Sequence, residues 1–257
     1  MSFRWLTVFL DFPGPSFDAG VAFWREVTGT TLSPYRGAAE EFATLLPPAG
    51  WDAYLRVQRT ADGSGGCHLD LHVDLADGSL DEVAARAASL GASVRHRSDG
   101  LIIAGSPGGF TFCLVQWDGE ATVPGPVHLG DAGPSRADQL CLDIPPDGFE
   151  RECSFWADLT GWELRPGARP EFAYLDRPTA MPVRLLFQRR DGADPRDRVI
   201  AHVDFACADQ RRLAARHAAG GARIRTAFPY WTLMADPVGR QYCLTMRDPG
   251  TGKLPAR

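Results

Sequence analysis

Two stretches decide the fold: Phe23-Trp24-Arg25-Glu26-Val27-Thr28-Gly29 and Phe155-Trp156-Ala157-Asp158-Leu159-Thr160-Gly161, set 132 residues apart. Without a gap, the same offset aligns Leu10-Asp11-Phe12-Pro13 with Leu142-Asp143-Ile144-Pro145, and Leu32-x-Pro34 with Leu164-x-Pro166. Further along, Gln58-Arg59 matches Gln188-Arg189 and His68-x-Asp70 matches His202-x-Asp204. Near the end of each copy, Pro107-x-Gly109-x-x-Phe112-Cys113-Leu114 matches Pro237-x-Gly239-x-x-Tyr242-Cys243-Leu244. Blocks in one order at near-constant spacing mark an internal duplication. The expected organisation is therefore two tandem domains, 1–118 and 136–248, joined by a Gly/Pro-rich linker, 119–135, and followed by a tail, 249–257.

Within each copy the apolar pattern changes period in the same sequence. A buried strand (Trp5–Phe12; Leu140–Ile144) leads into a helix carrying Phe23 and Trp24, or Phe155 and Trp156, with Ser16 a candidate cap and Gly29 or Gly161 the stop. Strands follow at Phe42–Leu46 and Tyr54–Gln58, then at His68–Val73, and an Ala-rich helix and two closing strands complete the copy. Each domain thus reads as strand–helix–strands twice over. The fold class expected is α+β, with four βαβββ units.

Bulk properties narrow the function. The chain has 257 residues, 44% hydrophobic and 23% charged, with a net charge of −5, so a packed core is expected and a basic nucleic-acid surface is not. No apolar run approaches a membrane span, and Asp11 and Pro13 interrupt the apolar N-terminus, which predicts a cytoplasmic protein with no membrane partner. The six cysteines form no CxxC pair and are expected as reduced thiols, several of them buried.

The Phe-Trp…Thr-Gly helix ending, the His68-Leu-Asp-Leu-His-Val-Asp74 strand and the closing Asp236-Pro-x-Gly-x-x-Tyr-Cys-Leu244 strand together resemble the vicinal oxygen chelate superfamily, in particular its glyoxalase-like and bleomycin-resistance-like members. That resemblance implies four βαβββ units paired into two domains, each a cup-shaped mixed sheet. It also implies that Thr7, Gln58, His68 and Cys113 stand at the family's ligand places in the first domain, and Gln139, Gln188, His202 and Cys243 in the second.

Each set has one imidazole, weakly ligating amides and no carboxylate, so no cofactor is expected, with a divalent Zn, Fe, Mn or Ni ion on His202 and Gln139 as the alternative. His72 cannot share an ion with His68, because residues four apart on a strand lie roughly 13 Å from each other. Alternation puts His68, Asp70 and His72 on one face and Leu69, Leu71 and Val73 on the other. His202 and His68 are the candidate acid–base residues. Candidate ligand-binding residues are Gln58, Gln139 and Gln188, together with Arg56, Arg184, Trp51, Tyr230 and Trp231, the last five departing from the repeat. The function expected is a small-molecule-binding protein, monomer or homodimer, enclosing an organic ligand without the usual metal. The alternative is a lyase, isomerase or dioxygenase-type enzyme using His202 or His68 as metal ligand or general base.

Overall fold

The computed structural model describes residues 2–61, 63, 65–192 and 198–254, so the last three residues of the expected tail lie outside the described residues. The first repeat runs β1 (Phe3–Pro13), α1 (Gly14–Thr28), β2 (Thr31–Leu32), β3 (Phe42–Leu46) and β4 (Leu55–Thr60). It continues with β5 (Gly66–Val73), α2 (Leu80–Ser89), β6 (Ser93–Ser98), β7 (Leu101–Gly105) and β8 (Thr111–Gln116). After a two-residue strand β9 (Val127–His128), the second repeat runs β10 (Pro134–Ile144), α3 (Phe149–Thr160), β11 (Glu163–Pro166), β12 (Phe172–Asp176) and β13 (Arg184–Arg189). It ends with β14 (Ile200–Cys207), α4 (Gln210–Ala219), β15 (Arg223–Ala227), β16 (Trp231–Ala235) and β17 (Gln241–Thr245). These are the four expected βαβββ units.

They make two mixed sheets, ordered β2-β3-β4-β1-β5-β8-β7-β6 and β11-β12-β13-β10-β14-β17-β16-β15, with β9 paired to β10 off the second path. In each sheet a parallel pair, β5 with β8 or β14 with β17, sets the second-half strands side by side. The segment between the repeats is more than a tether, since Val127 and His128 pair with Ser135 and Pro134.

Local chemistry explains the helix limits. Gly29 and Gly161 close α1 and α3 in the left-handed region, at φ 62° and 71°, where a Cβ is strained. Ser79 and Glu82 form a reciprocal capping box on α2, and Asp209 caps α4 through the N–H groups of Arg211 and Arg212. Ser16 does not cap α1: the helix starts at Gly14, and the Ser16 hydroxyl, already inside the first turn, donates to the Pro13 carbonyl. Pro15 makes the early start favourable, because proline fits the first turn, where no N–H partner is needed.

Packing groups the halves crosswise. One compact unit comprises Met1–Phe9, Cys67–Thr122 and Leu140–Ala201; the other comprises Leu10–Gly66, Val123–Gln139 and His202–Arg257. In the first, Phe112, Phe155 and Trp156 form an aromatic cluster with centroids 5.1–5.9 Å apart. Glu152, buried beside them, accepts from Trp156 Nε1 at 2.9 Å and from the Gly108 N–H at 2.7 Å, which ties α3 to the turn before β8. In the second unit Trp24 stacks on Phe205 at 5.9 Å, packs edge-on to Tyr242 and donates its ring N–H to Asp236 at 3.0 Å. Each repeated tryptophan is thus fully buried, with its one polar atom satisfied.

All six cysteines are free thiols, and burial pushes Cys153 and Cys207 up to about 12, so both stay protonated. No helix among the described residues is long and apolar enough to cross a membrane.

Candidate functional site

The His-x-Asp repeat carries the chemistry. On β14, side chains two apart share a face, so His202 and Asp204 point one way while Phe205 packs on Trp24 the other way. The parallel register places Cys243 of β17 directly beside Asp204. His202 Nε2 lies 3.2 Å from Asp204 Oδ1 and 3.6 Å from Cys243 Sγ. The three donor atoms all fall within 4.8 Å of one another, and the three residues are 9%, 3% and 7% exposed. Gln139 adds a fourth polar group, its amide donating to Asp204 Oδ2. The other oxygen, Oδ1, is buried without a hydrogen bond. An ionised carboxylate oxygen in that state is costly unless a cation or a proton answers it.

The first repeat builds the same trio from His68, Asp70 and Cys113, with Asp70 and Cys113 again in register on β5 and β8. Asp70 Oδ1 is likewise buried without a hydrogen bond. The geometry is looser, with His68 Nε2 3.9 Å from Asp70 Oδ1 and the imidazole stacked on Phe9 at 4.3 Å. Thr7, at the place equivalent to Gln139, turns its hydroxyl to His72 Nε2 at 2.9 Å. His72 Nδ1 in turn lies 3.3 Å from Glu120 Oε1. Burial pushes the Glu120 carboxyl up, but its contact with His72 and the backbone N–H groups of Glu120 and Asp118 outweigh that and bring it down to about 2.

A divalent ion fits the His202 group. With zinc bonds of about 2.0–2.1 Å to N and O and 2.3 Å to S, tetrahedral ligands sit roughly 3.4 Å (N to O) and 3.6 Å (N to S) apart. The observed separations are 3.2 and 3.6 Å. The expectation of a centre without metal therefore loses its ground: the missing carboxylate is supplied by Asp204, two residues along the strand from the histidine. Sequence reasoning passed over Asp70 and Asp204 as ligands, although the repetition of His-x-Asp with an in-register cysteine was the signal.

The remaining candidates are dispersed. Gln188 accepts from Cys141 Sγ at 3.7 Å. Gln58 pairs with Phe42 across β3 and β4, and Arg56 pairs with Thr44. Arg184 lies over the Tyr174 ring at 4.6 Å, and Trp231 stacks on Phe228 at 4.6 Å. Tyr230 is exposed. Trp51, also largely exposed, borders a cavity that includes Phe205, on the face of β14 opposite His202 and Asp204.

Solved structures share this architecture. A 2,2',3-trihydroxybiphenyl 1,2-dioxygenase from the dibenzofuran-degrading Sphingomonas wittichii aligns with a TM-score of 0.63 at 15% identity, over 98% of this chain and 93% of that one. An extradiol ring-cleaving dioxygenase from Brevibacterium fuscum gives 0.63 at 14% identity, over 98% and 74%. The 2,3-dioxygenase LapB from a Pseudomonas species gives 0.62 at 12% identity, over 95% and 91%. At such identities the likeness establishes the two-domain vicinal oxygen chelate fold. No curated protein matches the sequence. The model of the glyoxalase-like domain matches it twice, over residues 7–115 and 139–245, and the chain belongs to that family.

Proposed function

We propose that the chain is a metal-assisted enzyme of the vicinal oxygen chelate type, a lyase or isomerase that acts at the His202 group on a small metabolite bearing adjacent oxygens. The observation that carries this reading is the buried Asp204 Oδ1, which has no hydrogen bond and lies 3.2 Å from His202 Nε2, on the residue paired in register with Cys243. His202, Asp204 and Cys243 furnish three donors, the number catalytic zinc sites use while keeping a position open. Gln139 fixes the carboxylate from behind, the role an outer hydrogen bond plays at metal sites. A bound divalent ion would act as a Lewis acid on a substrate carbonyl or hydroxyl oxygen.

A dioxygenase is the second reading, favoured by the fold shared with the ring-cleaving enzymes. Donor chemistry weighs against it: non-haem iron oxygenases use two histidines and a carboxylate, whereas a thiolate selects zinc.

The test loads purified protein with Zn2+, Mn2+, Ni2+ or Fe2+ in turn. It then follows deuterium exchange of α-hydroxycarbonyl compounds by NMR and ring cleavage of catechols by absorbance. Exchange that depends on zinc and disappears in His202→Ala supports the proposal. Iron-dependent ring cleavage would establish the second reading, and inertness with every metal would restore the expectation of a binding protein without catalysis.

A further inference from the structure

A cavity of about 110 Å3 lies within the second unit, away from the His202 group. Its wall includes Trp51, Tyr54 and Phe205, with Pro124 and Val127 from the segment between the repeats and Ser135 at the start of β10. Tyr54 donates its hydroxyl to the Ala137 carbonyl at 2.7 Å, and Arg136 Nη1 reaches the Pro124 carbonyl at 3.4 Å, so two ordered contacts hold the wall. Apolar cavities of roughly 150 Å3 admit benzene, so this space accepts at most one small ring.

Two observations distinguish it from a packing gap. Ser135 is fully buried, and its hydroxyl has no hydrogen-bond partner. A buried hydroxyl left in that state carries the cost of its lost hydration, which a bound polar group would relieve. Trp51, at the edge of the same cavity, is 43% exposed. The rest of the wall is mostly aromatic, proline and aliphatic, with Arg136 the one charged residue among those lining it, so the site suits a largely apolar ring with a single polar group.

We propose that this cavity binds a small neutral aromatic molecule carrying one hydroxyl, with the ring held among Trp51, Tyr54 and Phe205 and the hydroxyl bonded to Ser135. The site is separate from the His202 group, and its occupancy does not depend on any metal there. Phenol and benzene are the probes, titrated to millimolar concentration and followed by amide chemical shifts. Saturable shifts centred on Thr28, Gly125, Val127 and Ala137 are expected. Ser135→Ala should weaken phenol about fivefold, the worth of one neutral hydrogen bond, and leave benzene unchanged. Trp51→Ala, a change at an exposed residue, should weaken both. The proposal is overturned if neither probe saturates, if the shifts centre elsewhere, or if Ser135→Ala leaves phenol affinity intact.

Discussion

Arg247→Ala is the substitution whose cost the structure defines most sharply. Arg247 and Asp138 form a two-pronged pair, Nη2 to Oδ1 at 2.6 Å and Nη1 to Oδ2 at 3.0 Å. Their side chains are only 4% and 1% exposed. Asp138 precedes Gln139 on β10, and Arg247 follows β17 by two residues, so the pair anchors the strand that delivers Gln139 to Asp204. Truncating the arginine leaves a buried carboxylate without its cation, which costs about 3–5 kcal/mol. Replacing both partners, as Asp138→Leu with Arg247→Met, removes both charges and should recover most of that loss. Urea unfolding of the wild type, each single variant and the double variant measures the coupling directly. A loss below about 1 kcal/mol for Arg247→Ala, the range of a surface pair, would refute the reasoning.

Two pH effects follow from groups whose proton affinity the fold shifts. Glu120 is held near 2, below its usual 4.5, so its contribution to stability is complete above about 4.5 and disappears as the pH falls toward 2; Glu120→Gln should flatten that part of an acid-denaturation curve. His217 is lowered to about 3, mainly by burial and then by the Arg216 charge, so the folded state stays neutral while the unfolded chain takes up a proton below 6.5. Stability should therefore drop between pH 6.5 and 3, and His217→Gln should remove that slope in thermal melts; a slope that persists in the variant would refute the assignment.

The duplication made the fold legible because each βαβββ unit is specified locally: a two-residue period for strands, a Phe-Trp helix face, and a glycine where the chain must turn left-handed. Gly29 and Gly161 are read correctly for that reason. What the sequence hid was pairing between distant segments. Trp24 packs with Phe205 and Tyr242, about two hundred residues downstream, and nothing in local periodicity names those partners. The Asp236 carboxylate that satisfies the Trp24 ring is equally remote, whereas Trp156 finds Glu152 one helical turn away. The place of Asp204 beside Cys243 was hidden for a related reason. Matching single positions to a family pattern looks for a carboxylate on the last strand, while the structure places one on the histidine's own strand, where the in-register Cys243 completes the group.

Transition-metal content per chain is the most direct test of the central claim. Protein purified without chelator should retain one ion with high affinity. Asp204→Asn and Cys243→Ser should each abolish that ion, and the Co2+-substituted wild type should show a thiolate charge-transfer band that Cys243→Ser removes. A wild-type protein that takes up no metal even from zinc-supplemented buffer, or one whose metal survives both substitutions, would contradict the account.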